Sequence, residues 1–199
     1  MENGEIIAVL PQLSDFDDLI TQIAAIAKAL AYRASEAGDD PERWGKSGFL
    51  VSHYGRDKYR DLAEQGRLYA IVQDNHQVVA FAAIYRPEQL PDVDDKGREF
   101  IRKTYGRVPV VKQIASERTH AGQGWARRLN DHFSHQYPDD PVFAAIVEEP
   151  RNHRSEGFHT RIGFHKCTTY RDHPDGKPRG IWRRPPSGQQ GSLLPRNTK

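Results

Sequence analysis

The segment VVKQIASERTHAGQGWARRLNDHF, residues 110–133, constrains this chain more than any other. A β-rich run passes through a turn with two glycines and enters a stretch whose apolar residues recur at helical spacing. Trp125, Leu129 and Phe133 would share one face of that helix. Glycine at a strand-to-helix turn lets the backbone approach a ligand closely. The first N–H groups of the helix lack intrahelical partners and carry the positive end of its dipole, which suits a pyrophosphate-sized anion. Arg118, Arg127 and Arg128 add charge beside it. The same pattern also serves as a plain tight joint between strand and helix. It matches neither a dinucleotide-binding Gly-x-Gly-x-x-Gly nor a P-loop, which needs Gly-Lys-Ser/Thr.

Around this segment the chain has no internal repeat. A strand is expected over residues 5–9, then a helix with Ser14 as N-cap and Asp15, Asp17 and Asp18 near its positive end. Leu19, Ile20, Ile23, Ile26, Ala27 and Leu30 give that helix one buried stripe. Residues 38–48 read as a loop from their Gly, Pro and charge content. A second helix is expected over 57–64. Residues 67–74 and 77–85 form a hairpin joined at Asn75-His76, with Asn supplying a positive φ. The polar segment 87–107 is long for a connection and carries a short helix of its own. Strands follow at 109–116 and 142–149, a helix at 155–162 ending at Gly163, and a closing antiparallel pair around Asp175-Gly176-Lys177-Pro178. The order is β-α-α-β-β-(α)-β-α-β-α-β-β, an α/β mixed sheet with helices on its faces. Residues 1–185 make one domain, and residues 186–199 read as a disordered tail.

A chain of 199 residues buries enough surface for a core without staples. Its one cysteine, Cys167, excludes a disulfide framework and a Cys-based zinc site and suits a reducing cytoplasm. No apolar run reaches the ~20 residues of a membrane span, and the N-terminus lacks a signal-like pattern. A soluble, cytoplasmic protein is expected. The net charge of +2 conceals two unlike halves. Residues 1–99 carry 11 Lys and Arg against 18 Asp and Glu, whereas residues 100–199 carry 18 against 9. A basic half faces an anion such as nucleic acid, a membrane or a phosphorylated cofactor. Here the basic residues form no strip interleaved with aromatics and gather near the Gly-x-Gly turn, which favours a cofactor phosphate over nucleic acid.

The order of motifs resembles the GNAT superfamily of acyl-CoA-dependent N-acetyltransferases. Ala121-Gly122-Gln123-Gly124-Trp125-Ala126 aligns with that family's Arg/Gln-x-x-Gly-x-Gly/Ala loop. Some 25 residues on, Glu148-Glu149-Pro150-Arg151-Asn152-His153-Arg154-Ser155 is similar to its Asn-containing turn. Phe158 to Phe164 resembles the aromatic-x-x-Leu-Gly-Phe helix end, in the wording of a branch with His in place of the usual Tyr. The match covers residues 67–185. It departs at Ala121, where Arg or Gln is usual, and at His159, where the family places the Tyr that protonates the departing thiolate.

The resemblance implies a GNAT fold with two splayed central strands and acetyl-CoA as acetyl donor. Pantetheine would pair with the strand edge at Ile114, Ala115 and Ser116, and the pyrophosphate would lie on the N–H groups of Gly122, Gln123, Gly124, Trp125 and Ala126, with Ala121 also in the cofactor-binding loop. Asn152 and Ser155 would contact the pantetheine arm. A backbone N–H of the 109–116 strand would stabilise the oxyanion. His159 becomes the candidate acid, with an unperturbed pKa of about 6.5 and hence a bell-shaped pH profile.

For the base, Glu148 and Glu149 end one splayed strand and Glu117 its neighbour. Alternation sends Glu148 and Glu149 to opposite faces, and Glu149 is preferred for its place before the Pro-x-Asn turn. Relay through ordered water is a full alternative. Phe49, Tyr85 and Gln113, with Tyr105 and Trp182, are candidates for the acceptor pocket. No metal is expected: His132 and His135 lack an adjacent Glu and a third ligand. The expected reaction moves an acetyl group to a primary amine of a small molecule. A protein or peptide amine is the alternative, and so is a non-catalytic acyl-CoA sensor. The acidic first half, with Asp92, Asp94 and Asp95 before the central strand, predicts a cationic acceptor. A homodimer is compatible with this reading, and neither membrane nor nucleic acid is an expected partner.

Overall fold

Local patterning sets most of the elements. In the computed structural model, residues 4–32, 41–51, 54–88, 96–172 and 175–186 are described. Strand β1 (Gly4–Ala8) leads into α1 (Phe16–Ala29), whose buried stripe is the one its sequence period predicts. The helix begins later than Ser14 implies, and Asp15 stands at the cap position without a side-chain cap bond. Part of the segment expected to be loop is the short helix α2 (Pro41–Ser47). It forms by packing: a Cβ at Gly45 would lie 2.3 Å from the Arg151 carbonyl oxygen, so only glycine admits this approach. Helix α3 (Arg56–Glu64) follows.

The hairpin of β2 (Leu68–Gln73) and β3 (Val78–Tyr85) is present, but His76 rather than Asn75 takes the positive φ, at 59°. Asn75 instead accepts from the Gln77 N–H through its side chain, fixing the turn without leaving the ordinary region. Helix α4 (Lys96–Tyr105) is the short helix expected before the central strand. Next come β4 (Val110–Ser116), a 3₁₀ turn at Arg118–His120, α5 (Trp125–Gln136) and β5 (Val142–Val147). Helix α6 (His153–Arg161), β6 (His165–Tyr170) and β7 (Arg179–Arg184) complete the chain. The expected tail at 186–199 lies, beyond residue 186, outside the described residues, as do Asp92, Asp94 and Asp95.

Among the described residues the strands form one sheet in the order β1-β2-β3-β4-β5-β7-β6. All neighbours are antiparallel except β4 and β5. That parallel pair holds register only at Val110 with Phe143 and Val111 with Ala144, and the strands then part on the way to Ser116 and Val147. A bulge sharpens the geometry. Ala83 pairs with Gln113 and Ile84 with Val111, so Lys112 has no partner in β3 and the faces of β4 exchange across it. Val110 and Ala115 therefore pack in one core layer with Tyr59, Phe81 and Phe143, whereas Val111 packs in the opposite layer with Trp125, Leu129 and Ile146. Among the described residues no helix is long and apolar enough to cross a membrane.

Candidate functional site

Two strands that begin paired and then diverge leave unpaired main-chain groups on their facing edges. The Glu117 N–H donates to the Val79 carbonyl at 2.9 Å, so it faces β3. Successive amides alternate in direction, which turns the main-chain groups of Ser116 and Ile114 toward the gap. The gap is a cavity of about 640 Å³ that passes through the sheet. It is lined by Gln113 and Ala115 from one layer and by Trp125, Ala144 and Ile146 from the other.

At one mouth lies the turn before α5. Gly122 and Gly124 both take positive φ, 87° and 90°, and a Cβ on either would meet nothing within 4 Å. Glycine is needed here for backbone conformation, and the space above it is open to a ligand. Gly124 caps α5 without any side-chain bond, which leaves the first amides of the helix to face that space. Ala121, Gly122, Gly124, Trp125 and Ala126 line the cavity with Arg118 and Arg127. Gln123 does not: its Oε1 accepts from the Trp125 Nε1 at 3.0 Å, steadying the turn from outside. Trp125 is 5% exposed and packs in the core below.

The opposite wall comes from the start of α6. Asn152 Oδ1 accepts from the Ser155 N–H at 3.1 Å, and its Nδ2 donates to the Phe49 carbonyl at 2.8 Å. This buried side chain both caps the helix and ties it to the segment before α3. That segment is held in turn by bonds from the Leu50 N–H to the Leu30 carbonyl and from the Tyr32 N–H to the Leu50 carbonyl. Asn152, Ser155 and Phe49 all line the cavity. Gln113 lines it too, its Oε1 accepting from the buried Tyr59 hydroxyl at 3.0 Å.

Several expectations need correction. His159 lines the cavity but is 5% exposed, with Phe158 and Phe164 edge-on to its ring at 5.1 Å each. Its Nδ1 lies 2.8 Å from the Ser155 carbonyl, which can only accept, so Nδ1 carries the proton and Nε2 a lone pair. Burial pushes its pKa down to about 4, against a small rise from that bond. The ring is therefore neutral at neutral pH and cannot act as an imidazolium acid. Glu148 and Glu149 do not end a strand, because β5 stops at Val147. Glu148 pairs with Lys166, and Glu149 is exposed and away from the cavity lining, so neither is placed as a base. Glu117 accepts from Thr119 and, at 2.6 Å, pairs with His120; these bonds hold its pKa below the usual range.

Tyr85 is a core residue under the Arg98 guanidinium, 3.8 Å from the ring centroid, and Tyr105 packs on Phe143. Neither they nor Trp182 reach the cavity. Local patterning marks such aromatics as apolar without saying which layer receives them. Among the described residues every charged side chain lining the cavity is cationic, while Asp92, Asp94 and Asp95, on which the expectation of a cationic acceptor rests, lie outside the described residues. Sequence reasoning missed Arg98 and Arg179, both buried and both in the lining. No local pattern distinguishes them from surface arginines.

A mixed sheet with a parted parallel pair, an open strand edge and a glycine turn opening a helix is the architecture that the resemblance to the GNAT superfamily implies. The match to a family model agrees with it. Residues 26–164 match the model described as the acetyltransferase (GNAT) family, and the chain belongs to that family, whose members use acetyl-CoA. No curated protein matches. Among solved structures, a GNAT acetyltransferase from Streptococcus agalactiae is similar at 17% identity and TM-score 0.59, over 91% of this chain and 94% of that one. A ribosomal-protein alanine N-acetyltransferase from Escherichia coli aligns at 12% identity and TM-score 0.56, over 99% of each chain. A NatC complex bound to Gag peptide and CoA contains a chain at 14% identity and TM-score 0.59, covering 93% of this chain and 99% of that one. These likenesses establish the fold.

Proposed function

We propose that the protein transfers an acetyl group from acetyl-CoA to a primary amine of a small molecule within a ternary complex. The observation that carries this reading is the opening between β4 and β5, with a free strand edge on one side and the Gly122–Gly124 turn at its mouth. The residues present fit the donor. Ile114 and Ser116 offer main-chain groups to an extended amide-bearing arm, as an added strand would take them. The amides of Gly122 to Ala126, with Arg118 and Arg127, suit a pyrophosphate. Asn152 keeps one hydrogen on Nδ2 and one lone pair on Oδ1 for the same arm.

When bound, acetyl-CoA supplies a thioester carbonyl for the amine to attack and a thiolate to leave. The N–C bond forms as the C–S bond breaks, and the amine's proton passes to solvent while the thiolate takes one up. A β4 amide facing the gap is suited to receive the developing oxyanion. Water relay suits the amine proton, since the carboxylates of Glu117, Glu148 and Glu149 do not line the cavity. His159 holds an unprotonated Nε2 and acts only as a hydrogen-bond acceptor.

The test is calorimetric titration with acetyl-CoA followed by thiol release across a panel of amines. Binding together with thiol release is expected. Saturable binding without thiol release would make the protein an acyl-CoA sensor, and turnover of peptides alone would move the acceptor to protein.

A further inference from the structure

Resting on the transferase reading, we infer that Ala145 determines which acceptors fit, because the carbon framework beside the reacting amine lies over it. Along β5, Val142, Phe143 and Ala144 are buried, and so are Ile146 and Val147. Ala145 between them is exposed, in the middle of a strand that has neighbours on both sides. Its partner across the sheet, Ile181 of β7, is fully buried. No sheet edge explains the exposure. Ala145 lines the cavity, and the space above its methyl group is that cavity.

Its place along the opening is specific. The Phe143 N–H donates to the Pro109 carbonyl at 2.9 Å, so the main-chain groups of Phe143, and by alternation those of Ala145, point toward β4. Pairing with β4 ends at Val111 and Ala144, which makes Ala145 the first β5 residue past the vertex where the strands part. A donor arm that enters beside the Gly122–Gly124 turn, at the open end of the gap, and pairs with Ser116 and Ile114 runs toward that vertex. Its acyl end arrives beside Ala145.

The two faces of the sheet differ at this level. On one, Val111, Ala144 and Ile146 pack with Trp125 and Leu129, all 5% exposed or less, so that face is nearly closed beside the vertex. Ala145 belongs to the other. It stands two residues from Phe143 and opposite Ile181, both in the layer that holds Ala115. Leu30 and Leu50 pack against that layer and line the cavity as well. An amine attacking the thioester carbonyl comes from this open face, and the carbon atoms next to its nitrogen rest on the Ala145 methyl. A larger side chain at 145 projects into the space those atoms need. The fold has little reason to oppose it, because the position is already exposed.

Thiol release from saturating acetyl-CoA, with primary amines graded in bulk from ethylamine through isobutylamine to 2-phenylethylamine, tests this in the wild type, Ala145→Ser, Ala145→Val and Ala145→Leu. KM should rise with side-chain size at 145 and most for the bulkiest amine, by about 10- to 100-fold in Ala145→Leu, the range set by overpacking a filled site. Ethylamine should keep its KM, the calorimetric acetyl-CoA affinity should match the wild type in every variant, and Ala145→Ser should behave as the wild type throughout. Ala145→Val, whose side chain favours a strand, keeps the test open where Ala145→Leu fails to fold. A KM that is unchanged in the enlarged variants, or raised equally for every amine, overturns the inference while acetyl transfer stands. So does a wild type that accepts only ethylamine. Loss of butyryl-CoA as donor with every amine KM unchanged also overturns it, by putting the acyl chain over Ala145. A transferase reading that fails shows itself differently, as absence of acetyl-CoA binding and of thiol release with every amine.

Discussion

Acidification should destabilise this protein through His159. The His159 imidazole is buried among Phe158 and Phe164, and its pKa is about 4 in the folded chain against about 6.5 when unfolded. Between those values the unfolded chain binds the proton and the folded one does not, so stability rises with pH across that window. The contribution is fully present above pH 6.5 and is lost as pH falls through 4. By pH 4 the loss amounts to about 3 kcal/mol, from the shift at 1.36 kcal/mol per unit. Urea unfolding of the wild type and of His159→Phe, each followed from pH 7.5 to pH 4, isolates the effect, because the carboxylates titrate alike in both. The wild-type curve should fall more steeply by about that amount, and the imidazole Hε1 resonance should stay at its neutral position down to pH 5. Parallel stability curves, or a His159 resonance titrating near pH 6.5, would refute the burial argument and restore His159 as a candidate acid.

Gly124→Val should lose CoA affinity by at least about tenfold in calorimetry, because the added side chain enters the open space at the cavity mouth; the positive φ adds about 1–3 kcal/mol of strain. CoA affinity unchanged from wild type would put the pyrophosphate elsewhere. Asn152→Ala removes a helix cap and the tie to Phe49 together, and thermal unfolding should show a loss of about 2–3 kcal/mol. Glu149→Gln, in an exposed turn, should leave kcat and its pH profile unaltered. The rate itself should climb with pH up to the acceptor's own pKa, with no alkaline limb from His159; a limb that disappears in His159→Phe would contradict the neutral ring.

What the sequence determined by itself is local. The stripe of α1, the glycine turn feeding α5, the β2–β3 hairpin and the stop of α6 at Gly163 each follow from periodicity or from a backbone preference satisfied within a few residues. The family pattern rests on that same local order. Tertiary structure decided the rest. Helix α2 exists because Gly45 lets it approach Arg151, a contact more than a hundred residues distant along the chain. Arg98 and Arg179 turn inward to line the cavity, which no pattern in the residues around them foretells. Likewise His159 stands where the family motif leads, but its proton affinity depends on how completely Phe158, Phe164 and the sheet exclude water from it. Spacing fixes which residues share a helix or a strand face; desolvation and charge proximity are set by what lies across the fold, and only the assembled layers determine them.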